Sequence, residues 1–66
     1  MYDEIFKEIT NRLEALSREY GDYLSEGKVE SFADYKYTAG TIQGLREAVR
    51  EIGDLRDLIN KQDMED

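Results

Sequence analysis

Ser25-Glu26-Gly27-Lys28-Val29-Glu30-Ser31 is the stretch that decides how this 66-residue chain folds. Gly27 can adopt the left-handed conformation that ends a helix, and the Ser31 side chain can cap the start of the next one. Asp34, three residues after Ser31, stands where the acid of a capping box belongs, although Glu or Gln is the usual partner there. The chain holds no proline, so no residue removes a backbone donor or locks the chain out of helical dihedrals. The sequence on either side of this break therefore reads as uninterrupted helix.

Before the break, Tyr2, Phe6, Ile9, Leu13, Leu16, Tyr20 and Tyr23 recur in alternating steps of four and three, which is the seam of an amphipathic helix. Ile5 and Leu24 widen that stripe. Lys7, Glu8, Asn11, Arg12, Glu14, Arg18, Glu19 and Asp22 fill the remaining faces as a solvated surface would. Asp3 and Glu4 sit where acids favour a helix start. Gly21 weakens the helix locally, yet the seam continues past it, so the first helix is placed at about 2–26. After the break, Tyr35, Ile42 and Val49 share one heptad line and Leu45, Ile52 and Ile59 the neighbouring one, with Ala48 and Leu55 broadening the stripe. The second helix is placed at about 32–61. An acidic tail of about 62–66, without apolar periodicity, is expected to fray.

Two long helices joined by about five residues should lie antiparallel, giving an all-α hairpin that forms one domain over 1–66. A chain this short sits near the limit for a self-sufficient core, and it has no Cys or His with which to build a disulfide or a zinc site. Each helix also carries an apolar stripe wider than one partner helix covers. The hairpin is therefore expected to associate into a dimeric four-helix bundle or a higher oligomer. The residues assigned to that oligomer interface are Phe6, Ile9, Leu13, Leu16, Gly40, Gly44, Ala48, Val49 and Ile52. Gly40, Gly44 and Ala48, spaced by four, form a strip over which another backbone can approach closely. Arg56, at a place where the heptad wants an apolar residue, is a candidate for an ion pair between subunits.

The chemistry of the chain points away from catalysis. Neutral-pH acid–base work most often uses His, and activated nucleophiles rely on Cys or a His-assisted Ser, whereas the abundant carboxylates here lie on polar faces. No cofactor or metal is expected. Glu8 with Arg12, Glu14 with Arg18, and Glu47 with Arg50 read as helix-supporting pairs. Sixteen acids against nine cations leave a net charge of −7, which repels phosphates, so direct nucleic-acid binding is not expected. No apolar run is long enough to span a bilayer, and Met1-Tyr2-Asp3-Glu4 lacks the basic start of a signal peptide. One cluster stands apart: Tyr20, Tyr23, Phe32, Tyr35 and Tyr37 flank the turn, with Lys28 and Lys36 nearby. Most of these aromatic residues are expected to close the core at that end. Tyr20, Tyr23, Lys28, Lys36 and Tyr37 are also a candidate surface for a partner or ligand, since aromatic faces with cations stack bases and anchor proteins.

The run Ser31-Phe32-Ala33-Asp34-Tyr35-Lys36-Tyr37-Thr38-Ala39-Gly40-Thr41-Ile42-Gln43-Gly44-Leu45-Arg46-Glu47-Ala48 resembles the core of short helical proteins encoded by tailed bacteriophages and prophages. That phrase opens with an aromatic, a small residue, an acid, Tyr and a basic residue, and continues with Gly, a second Gly four on, then Leu and Ala. The resemblance covers about a third of the chain and carries no catalytic residue. It implies a non-catalytic phage protein of structural or assembly type, located in the host bacterial cytoplasm or the virion, that binds itself and another phage or host protein. The alternative it implies is a counter-defence protein that inhibits a host protein or sequesters a nucleotide immune signal. Tyr37, Gly40, Thr41, Gln43, Gly44 and Ala48-Val49 follow the order seen in phage hairpins that capture cyclic oligonucleotides, although the spacings differ.

Overall fold

In a computed structural model describing residues 2–65, with side chains described through Gln62, the chain forms two helices, α1 (Tyr2–Ser25) and α2 (Phe32–Glu65), packed side by side as a hairpin. The turn is built as its residues suggest. Gly27 has a φ of 72°, the left-handed value that a side chain would strain. Lys28 N donates to Tyr23 O at 3.3 Å and Gly27 N to Leu24 O at 3.2 Å, the paired bonds of a Schellman motif. At the start of α2, Ser31 Oγ accepts from Asp34 N at 3.0 Å as an N-cap. The return half of the capping box is displaced by one residue: Asp34 Oδ2 accepts from Glu30 N at 3.3 Å.

α2 outlasts its expected end near 61 and continues through the acidic tail to Glu65, while Asp66 lies outside the described residues. Between Asn60 and Glu65 no Gly or Pro halts the helix, and Lys, Gln, Met and Glu all propagate one well. Loss of apolar periodicity removes a reason to pack, not a reason to be helical. At 34 residues α2 is ten longer than the 24-residue α1.

Most half-buried positions mark the side on which the helices meet. They fall on α1 at Phe6, Thr10, Leu13, Ser17, Tyr20, Gly21, Tyr23 and Leu24, and on α2 at Asp34, Ala39, Thr41, Ile42, Leu45, Ala48, Val49, Ile52, Gly53 and Ile59. Near the turn this seam departs from the sequence reading. Tyr35, placed on the seam with Ile42 and Val49, is exposed and stacks on Phe32 at 6.4 Å between ring centroids. Thr38 occupies the buried place instead, at 2% exposure. Its Oγ1 donates to Asp34 O at 2.9 Å, so the hydroxyl is satisfied within its own helix and the small side chain lets the helices close where a tyrosine ring would hold them apart.

The hairpin is a single layer. Its Cα envelope measures 54 × 17 × 11 Å and its radius of gyration is 15.7 Å, against about 11 Å for a compact domain of this length. Among the described residues no hydrophobic side chain is fully buried. The accessible surface of 5427 Å² exceeds by roughly 1,100 Å² the ~4,300 Å² of a compact monomer of this mass.

Candidate functional site: the two faces of the hairpin

A one-layer hairpin has two broad faces, and the chain makes them chemically different. Leu16, Glu19, Tyr20 and Tyr23 of α1 line a groove of about 320 Å³ together with Asp34, Tyr37 and Thr38 of α2, which fixes one flank of each helix on the same side. Following that flank by helical periodicity gives Ile5, Ile9, Arg12, Leu16, Glu19 and Tyr23 on α1. The same alternation of four and three on α2 gives Tyr37, Thr41, Gly44, Ala48, Glu51, Leu55 and Leu58. The large apolar members are open to solvent: Ile5 at 53%, Leu55 at 48%, Leu58 at 52% and Tyr37 at 70% exposure, with Ile9 and Leu16 also exposed. Charge intrudes on this face at Arg12, already paired with Glu8 at 2.9 Å, and at Glu19 and Glu51.

The reverse face is the more highly charged. Asp3, Lys7, Thr10 and Asn11 face Arg56, Asp57 and Asn60 across one groove, and Glu14, Ser17 and Arg18 face Leu45, Arg46 and Val49 across another. Arg18 lies two residues, hence ~200° of helical rotation, from Leu16, which puts the two on opposite sides of the layer. Arg56 Nη2 sits 3.6 Å from Asp57 Oδ1 on this polar face.

The residues assigned to an oligomer interface accordingly divide. Phe6, Leu13, Val49 and Ile52 are half-buried in the seam within the chain, whereas Ile9, Leu16 and Gly44 lie on the uncovered apolar face, with Ala48 at its inner edge and Gly40 at its outer edge. A methyl group built on Gly40 or Gly44 meets nothing within 4 Å. The glycine strip is therefore not where α1 crosses α2.

The aromatic cluster divides as well. Tyr20, Tyr23 and Tyr37 share the groove, but Lys28 pairs with Glu26 at 2.9 Å in the turn, and Lys36 Nζ lies 5.5 Å from the centre of the Phe32 ring. The cations expected beside the tyrosines thus serve other partners, and the charged residues lining the groove are the acids Glu19 and Asp34. Tyr23 OH donates to Asp34 Oδ2 at 2.6 Å, and this bond, followed by desolvation and the negative charge of Asp34, raises the phenol above its ordinary pKa of 10.0. Sequence reasoning missed that bond. The signal available was a hydroxyl and a carboxylate on the two sides of one tight turn, each about a helical turn from the break.

Among the described residues there is no cluster of His, Cys, Asp or Glu that could hold a metal, and no helix is long and apolar enough to cross a membrane. Comparison with protein-family models, with curated proteins and with solved structures finds no match.

Proposed function

We propose that this chain is a non-catalytic bacteriophage protein of structural or assembly type, which self-associates and acts through protein–protein contacts. The observation that carries this reading is the single-layer hairpin, in which no hydrophobic side chain is fully buried among the described residues. Stable domains pack at least two layers of secondary structure around a core, and this chain supplies one. The phage setting is supported by the resemblance along 31–48, and the absence of His and Cys supports a role played by surfaces.

Nucleotide capture gains no support from the turn end. An anion entering the tyrosine groove would meet Glu19 and Asp34 with no cation lining it.

Two measurements test the proposal together. Sedimentation equilibrium of the purified chain at micromolar concentration should give a mass at least twice that of the 7.7 kDa chain. Quantitative mass spectrometry of particles purified from a phage that encodes the chain should find it, or the structure it helps to build, at a fixed copy number. A folded single chain that has no stable association with particle proteins would overturn the reading.

A further inference from the structure

Building on the proposed self-association, we infer that copies of this chain meet through one face only: the flank carrying Ile5, Ile9 and Leu16 of α1 beside Tyr37, Gly44 and Leu55 of α2. The occupant of that face is a second copy of the chain, laid on it face to face so that two single layers become a four-helix bundle.

Area, shape and the placing of the exposed apolar side chains each favour this occupant. The broad face of the layer, 54 Å by 17 Å and so roughly 900 Å², is close to what one partner contributes to a stable interface, about 800 Å² in a standard complex. A second hairpin is also a flat layer of the same 54 Å length, so it covers the whole stripe from Ile5 and Leu55 to Tyr37 instead of one patch of it. Six of the nine large hydrophobic side chains exposed among the described residues, Ile5, Ile9, Leu16, Tyr37, Leu55 and Leu58, lie on this flank, whereas Lys7, Arg18, Arg46 and Arg56 stand beside Asp3, Glu14 and Asp57 on the reverse face. Gly44, open to solvent with no atom within 4 Å of an added methyl, then becomes a place where the partner's backbone comes close.

The absence of native cysteine permits a direct test on the full chain. Single-cysteine variants are made on the apolar face, Ile9→Cys and Ala48→Cys, and on the polar face, Arg18→Cys and Arg46→Cys. Their reaction with a thiol-specific disulfide reagent is timed across protein concentrations spanning the association measured by sedimentation. If only separated chains expose the apolar face, Ile9→Cys and Ala48→Cys slow by about tenfold once about a tenth of the chains remain free, while Arg18→Cys and Arg46→Cys keep their rates. Association that protects the polar-face thiols, or neither set, overturns this inference and leaves self-association standing. A chain that stays single at every concentration, with all four thiols reactive, overturns both and gives the apolar face to a different protein.

Discussion

Tyr23 and Asp34 link α1 to α2 across the turn, and their neighbours show how much local chemistry can be read from a sequence. Gly27 and Ser31 were legible because each does a backbone job that few residues can do: a positive φ and a side-chain cap. Thr38 was not, since a threonine in the seam counts as polar until its hydroxyl is known to bond back to Asp34 O. Ser31→Ala should cost about 1 kcal/mol of stability, seen as a lower midpoint in urea or heat, because Asp34 N loses its acceptor. The Tyr23 bond gives a pH signature. The folded state raises the phenol's pKa, so its contribution is fully present below the ordinary value of 10.0 and is lost as pH rises through the folded value. The melting midpoint of the wild type should therefore exceed that of Tyr23→Phe at neutral pH, and the gap should close in alkali. A gap that widened would contradict the hydrogen bond as the cause.

At the scale of the helices, the glycines separate the two faces. Gly21 and Gly53 lie on the polar side by helical rotation, and a methyl on either meets nothing within 4 Å. Gly53→Ala should therefore stabilise the protein by about 0.5–1 kcal/mol, the usual gain from removing a helical glycine, with the association constant unchanged. Gly44→Ala, which has equal room within one chain, should instead weaken association when measured by sedimentation, because in the proposed pairing its methyl enters space that the partner's backbone approaches. The existence and width of the apolar stripes were legible in the spacing of their residues. Their grouping onto one side was not, because it depends on how far each helix rotates about its axis when the pair closes. That rotation places Thr38 inward and Tyr35 outward. The end of α2 was illegible for a simpler reason: after Ile59 no residue signals a stop.

For the whole molecule, charge and layering set opposite tendencies. Copies bearing −7 repel one another at long range, while in the proposed pairing the apolar face draws them together at contact. Salt shortens the repulsion, with a Debye length of about 10 Å at 0.1 M and ~3 Å at 1 M, so the dissociation constant should fall as sodium chloride is added. A dissociation constant that rose with salt would mean that attractive ion pairs, not the apolar face, hold the copies together. If the chain self-associates as proposed, the melting midpoint should also rise with protein concentration, because association stabilises a folded chain by mass action.

The turn end is fastened three times over, by the Schellman pair, the Ser31 cap and the Tyr23–Asp34 bond. At the far end, the wide groove between Asp3 and Asn60 is crossed by no hydrogen bond among the described residues. Such a molecule resembles a tuning fork, held by hydrogen bonds at its base and along its prongs by the half-buried seam. Amide exchange with heavy water should therefore run as a gradient, slowest around 22–38 and quickening toward both tips, with the prongs quietened only when another fork lies across them.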